Sequence, residues 1–270
     1  MLIRLLVLVL FAMSIPATGK AASRDQRAPS VPWAVPPYIF EFAGPMRMLF
    51  GTNTGFGVRV SVRETLEVKG VKPATGTLLF RDGLTLFEAD SAPIEAPRAR
   101  KKSQKGDFGF MVIGRKEAGL CIISEGVSGF TELPGSFGSD AGAVIERQEV
   151  GRERVEGYDC IKSVVAVSNP GGEAQSFIVW TAPKLRGFPL KIERRMGGPL
   201  FVFTFSQVRF DRPDESLFLP PEKGYKRYPS VHDLTEEMTR RVWDVIPGAG
   251  GLRALPPDRS VTRPGYAPIY

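Results

Sequence analysis

The sequence predicts a mainly β protein: a curved antiparallel sheet or unclosed β-barrel of about ten strands, with one C-terminal helix. Three observations point there. Residues 56–68, FGVRVSVRETLEV, alternate apolar and polar with only Glu64 out of step, which is the period of a half-buried strand. Short apolar runs then recur along the chain, separated by Gly- and Pro-containing turns. A single stripe at helical spacing appears near the end, Val231, Leu234, Met238, Val242, Val245 and Ile246.

The chain opens with MLIRLLVLVLFAMSI, one Arg ahead of a short apolar run, followed by small residues in PATGKAAS. This is the pattern of an export signal, removed near Gly19 or Ala22. The run is shorter than the roughly 20 apolar residues a membrane span needs. The first cysteine is Cys121, so no lipid anchor follows the signal, and the expected location is periplasmic or secreted. Residues 23–47 read as a Pro-rich N-terminal linker. Within it and just beyond, YIFEFAGPMRMLF (38–50) is apolar enough to pack as a short helix or strand.

The β domain is expected over 48–228. After the alternating strand, TLLFRDGLTLF places Asp82-Gly83 between two apolar runs. Both central residues of a type I′ hairpin need positive φ, and Asp-Gly suits them. Further strands are expected at Phe108–Ile113, Leu120–Ser124, Phe130–Leu133, Val144–Glu149, Tyr158–Ser168, Gln175–Thr181, 188–193 and 200–210. A helix is expected over 229–246, with Ser230 capping, Asp233 three residues on and Pro247 ending it. Residues 247–270 read as a loose tail.

Composition narrows function. The 270 residues contain 43% hydrophobic residues, enough for a core, and a formal charge of +7. Without residues 1–22, which hold Arg4 and Lys20, the charge is +5. Only one histidine is present, His232, so most His-based catalysis and zinc chemistry is excluded. No phosphate-binding GxxxxGK[ST] loop, HExxH, GxSxG or SxxK occurs. The reading is therefore non-catalytic, with no cofactor and no metal. The carboxylates Glu146, Glu149, Glu153 and Glu156 interleave with arginines and read as a solvated hairpin face.

Three features remain as candidate sites. Phe177, Trp180, Phe188, Phe201, Phe203 and Phe205 fall on successive strands and either fill a core or line an apolar cavity for an acyl chain. Cys121 and Cys160 are the only cysteines. In an oxidising compartment they form a disulfide, worth roughly 3–4 kcal/mol on the chain-entropy model, or stay as buried or reactive thiols. Arg98, Arg100, Lys101, Lys102 and Lys105 form the densest basic stretch, either a solvated loop or a contact for an anionic membrane surface. Basic residues do not interleave with aromatics as nucleic-acid binding requires.

VGRERVEGYDCIKSVVAV, QSFIVWTAPKLRGFPLKIE and FSQVRFDRPDESLFLPPEKGYKRY carry a recurring outline. Its positions are Gly151, Glu153, Val155, Gly157, Tyr158 and Cys160; then Trp180, Gly187, Pro189, Leu190 and Lys191; then Pro213, Phe218, Pro220, Pro221, Gly224 and Tyr225. Over about residues 50–228 this resembles a family of exported bacterial proteins akin to the periplasmic lipoprotein carriers and outer-membrane lipoprotein-sorting proteins. The resemblance implies an unclosed antiparallel barrel wrapped around helices, with an apolar interior that takes acyl chains of lipids or lipoproteins. It implies structural roles for the outline positions, with Tyr158 and Pro220 at strand ends. The partners expected are a lipid, a lipoprotein or, if the interior is filled, an envelope protein.

Overall fold

A computed structural model describes residues 36–65, 73–90, 109–115, 119–135, 142–168, 174–196, 198–221 and 223–245. The signal, most of the linker, the 98–105 basic stretch and the 247–270 tail lie outside these residues. Among these residues, twelve strands form one unclosed sheet. They are β1 (Gly55–Glu64), β2 (Ala74–Arg81), β3 (Leu84–Ala89), β4 (Phe110–Arg115), β5 (Gly119–Ser124), β6 (Gly129–Leu133), β7 (Val144–Val155), β8 (Tyr158–Ser168), β9 (Gln175–Ala182), β10 (Phe188–Arg195), β11 (Leu200–Arg209) and β12 (Lys226–Arg227). The order across the sheet is β12-β6-β5-β4-β3-β2-β1-β11-β10-β9-β8-β7. Two antiparallel meanders thus flank the β1–β11 pair, which joins the first strand to the eleventh. The helix α1 (Val231–Val245) follows.

Alternation builds the core face. Phe56, Val58, Val60 and Val62 of β1 are buried, whereas Arg63 on the other side is exposed. Register carries this face across neighbours: Phe56 opposes Phe80, Val58 opposes Leu78, Val60 opposes Phe205 and Val62 opposes Phe203. Gly76 continues the row because the ring of Phe87 lies where a side chain would go; a Cβ there would sit 2.7 Å from it. The expected turn is present, with φ of 50° at Asp82 and 87° at Gly83.

Several elements differ from expectation. β7 runs to Val155 rather than stopping at Glu149, and Glu156-Gly157 makes a second turn with positive φ at both residues. Its charges hide it from a pattern search because it is exposed along nearly its whole length. Residues 38–50 pack on the sheet, as their apolar content suggested, although those up to 47 fell within the expected linker. The segment forms two 3-10 helices, Pro37–Phe42 and Pro45–Phe50, and Ile39, Phe42, Met46, Leu49 and Phe50 are buried against the sheet. A Pro opens each helix, and Gly44 separates them.

A strap also crosses the opposite face. Residues 211–221 run over this face, held by Arg81, which donates to the Pro213 carbonyl at 2.9 Å and pairs with Glu215 at 3.1 Å. A short 3-10 helix, Glu215–Phe218, puts Phe218 into a second cluster with Leu86, Ile113, Cys121 and Ile123. Pro220 therefore sits in the strap and not at a strand end. The strap delivers β12, which pairs parallel with β6 and makes the sheet mixed. The helix begins as expected: the Asp233 N–H donates to Ser230 Oγ at 3.1 Å, and the Ser230 hydroxyl donates to Asp233 Oδ2 at 2.6 Å.

Candidate functional site

The core face of β1, β2 and β9–β11 is the candidate site, because it gathers five of the six aromatics singled out above. Phe177, Phe188, Phe201, Phe203 and Phe205 are all buried. The 37–50 segment lies directly on them. Tyr38 packs on Phe201 at 6.2 Å, and Phe42 meets Phe203 edge-on at 5.7 Å while stacking on Phe87 at 4.7 Å. Phe50 contacts Phe56, Phe188 and Phe205 at 4.9, 5.7 and 5.8 Å. Offset and edge-on rings of this kind add roughly 0.5–1.5 kcal/mol per pair beyond their buried area. The apolar interior is therefore occupied by the protein's own N-terminal aromatics.

Polar groups pin this cover. Glu41, on the first 3-10 helix, forms an ion pair with Arg194 of β10, and both side chains are mostly buried. The Arg194 guanidinium also lies 5.2 Å from the Phe177 ring centre, and burial lowers its pKa to about 10. Arg47, on the second 3-10 helix, is buried and donates to the Gly83 carbonyl at 3.4 Å, tying the segment to the β2–β3 turn.

Trp180 is not part of this face. It stands opposite Lys162 and Lys191 in the register, while Val179 and Phe177 oppose Ser163 and Val165. Its indole N–H donates to Glu153 Oε2 at 2.8 Å, and Lys191 and Lys162 lie 4.1 and 4.8 Å from its ring. It is a buried anchor on the far side, held by hydrogen bonding and cation–π contact.

The candidate disulfide is not formed. Cys121 and Cys160 are both free and buried. β5 and β8 are eight strand spacings apart in the sheet order, at about 4.8 Å each, whereas a bridge needs Cα atoms within about 7 Å. Burial pushes the Cys121 thiol up to about 11, with the Glu132 carboxylate adding to the effect. Burial raises the Cys160 thiol as well. Neither is poised as a nucleophile.

Two clefts open elsewhere. One, of about 360 Å³, lies over the bulge where β1 meets β11 and is lined by Arg59, Thr77, Gln207 and Arg209 among others. The second, of about 320 Å³, lies at the rim of the sheet between residues 52–55, Arg186 and the end of β11. Sequence reasoning did not find either. Among the described residues, no group of three or more His, Cys, Asp or Glu side chains could hold a metal ion.

No protein-family model and no curated protein matches the sequence. Solved structures do. The chain is similar to the lipoprotein LppX of Mycobacterium tuberculosis, at 14% identity over 61% of this chain and 92% of that one, with a TM-score of 0.32. It is similar to the MucA/MucB complex of Pseudomonas aeruginosa at 17% identity, over 67% of this chain and 61% of that one, with a TM-score of 0.36. A LolA superfamily protein of Nitrosomonas europaea matches at 11% identity, over 69% of this chain and 99% of that one, with a TM-score of 0.33.

Proposed function

We propose that this is an exported, non-catalytic binding protein for an apolar ligand of the cell envelope, a lipid or the acyl chain of a lipoprotein. One observation carries the reading. Among the described residues, a broad aromatic face is covered by neither a second sheet nor a long helix but by two six-residue 3-10 helices. Short 3-10 helices have few and poorly aligned hydrogen bonds, so moving them aside breaks little secondary structure. Their own Tyr38, Phe42 and Phe50 occupy the apolar space an acyl chain would fill. Ligand entry is then an exchange: these rings leave, the chain enters, and the Glu41–Arg194 pair opens. The export signal read at residues 1–22 supports an envelope ligand.

Native mass spectrometry tests this on protein purified from the periplasm without detergent, followed by lipid extraction. The expected result is a stoichiometric lipid adduct, increased in Glu41→Gln, where the cover is held less tightly. If neither protein carries an adduct, and added phospholipid or lipopeptide produces none, the reading is lost.

A second reading, an envelope assembly protein, is favoured by the β7–β8 ribbon. Val144, Ile145, Val150, Tyr158 and Val164 are large, apolar and exposed there, with Val144 at 55%. A photo-crosslinker at position 150 that captures one envelope protein in cells, while the lipid assay stays blank, would favour it.

A further inference from the structure

The geometry points to an anion-binding site in the rim cleft, shaped for a phosphate group, either on a lipid headgroup or on a small soluble molecule. The cleft stands independently of whether the aromatic face opens.

Three connections converge there. The loop from the second 3-10 helix into β1 contributes Thr52 and Thr54. The turn before β10 contributes Arg186. The chain leaving β11 contributes Phe210 and Arg212. Gly55 permits the approach: a Cβ there would lie 3.0 Å from the Arg212 Cα. The cleft is open to solvent and measures about 320 Å³, ample for a phosphate group.

Ion pairs occupy the neighbouring arginines but leave Arg186 over. Arg212 pairs with Asp82, whose carboxylate also lies 3.9 Å from Arg81, and Arg81 reaches Glu215. Arg81 also acts on the Asp214 carboxylate, so these neighbouring arginines are matched, whereas Arg186 makes no ion pair among the described residues. Its guanidinium lies 4.9 Å from the ring centre of Phe210. A guanidinium resting on an aromatic face keeps its N–H edge free for two parallel bonds to an oxyanion. The backbone holds it there, with φ of 56° and ψ of 33° at Arg186. The hydroxyls of Thr52 and Thr54 donate to no protein group among the described residues and are available as further donors.

Phe210 meets Phe188 edge-on at 6.0 Å, and Phe188 stacks on Phe50 at 5.7 Å. The floor of the cleft is therefore continuous with the aromatic interior. A phosphate held by Arg186 would stand where the cover segment joins β1, with apolar rings behind it.

The test uses the full chain and two probes. Inorganic phosphate is titrated by calorimetry at constant ionic strength. Separately, the protein is sedimented with vesicles of phosphatidylcholine alone or mixed with phosphatidylglycerol. Each is repeated with Arg186→Gln and with Arg63→Gln, a control at an exposed arginine on β1. Saturable phosphate binding is expected, weakened about tenfold or more by Arg186→Gln and unaffected by Arg63→Gln. Binding to free phosphate without Arg186-dependent vesicle binding assigns a soluble ligand. Arg186-dependent binding to the phosphatidylglycerol vesicles assigns a headgroup, whether or not free phosphate binds. The site is overturned if neither probe binds, or if Arg186→Gln leaves the binding of both unchanged.

Discussion

At one edge of the sheet, the five-residue strand β6 carries β12 beside it and α1 packed against it. At the other, β7 runs twelve residues with no strand on its outer side among the described residues. The first edge is finished by burial. Tyr228, Leu234 and Met238 are all buried in the main core, and Gly129 is small because a Cβ there would lie 2.5 Å from the Tyr228 ring. The second edge is finished by charge and shape. It carries Glu146, Arg147, Glu149, Arg152, Glu153 and Arg154, and a bulge between Glu149 and Gly151 interrupts its pairing with β8. Charges and bulges keep an open edge from pairing indiscriminately, and they need no exposed apolar side chains to do so. The exposed Val144, Val150 and Tyr158 are therefore surplus to edge protection, whereas Tyr228, Leu234 and Met238 at the first edge are buried and serve stability.

That contrast predicts unequal responses to substitution. The largest belongs to Leu234→Ala, which empties a fully buried position between α1 and β6. A loss of about 2–5 kcal/mol is expected in urea unfolding. A loss below about 1 kcal/mol would mean that the helix does not cover this edge in solution. Ser230→Ala comes next. It removes both reciprocal cap bonds to Asp233, at an expected cost of about 1 kcal/mol. Amide exchange should localise that loss to α1 and leave β9–β11 protected.

Acid provides a milder perturbation of the same edge. Arg240 and then Arg241 hold the Glu237 carboxyl at about 2, against 4.5 for the free group. A depressed carboxyl contributes stability that is fully present above its unfolded value. That contribution fades as pH falls from 4.5 toward 2. Glu237→Gln should therefore flatten the acid limb of helix protection in this window and change little at neutral pH. An unaltered acid limb would show that the two arginines do not act on Glu237.

Much of this architecture was legible in the sequence, for local reasons. The alternation of β1, the Asp82-Gly83 turn and the Ser230–Asp233 cap each depend on residues within one or two turns of chain. Trp180 was grouped with the phenylalanines, although its spacing of three residues from Phe177 puts the two on opposite faces of a strand. What could not be read depends on strand order. Cys121 and Cys160 looked bridgeable until β5 and β8 were placed eight strands apart. Arg186, Arg212 and Thr52 come from three separate connections, and only the β1–β11 pairing brings those connections to one rim. The 37–50 segment was readable as apolar and apt to pack, but not as a cover of this face, because its partners are spread over β1, β2, β3, β10 and β11.

The smallest expected effect is the most informative about the open edge. Val150 and Tyr158 are 50% and 37% exposed, and neither belongs to the buried core. The double substitution Val150→Ser and Tyr158→Ser should shift unfolding by no more than about 0.5 kcal/mol, as surface changes away from caps and cores do. If the ribbon serves a partner, the same protein should lose crosslinking at this edge in cells while keeping its full stability and any lipid adduct. A destabilisation above about 1 kcal/mol would instead mean that these side chains pack within the chain. The two edges would then differ in which residues cover them rather than in purpose.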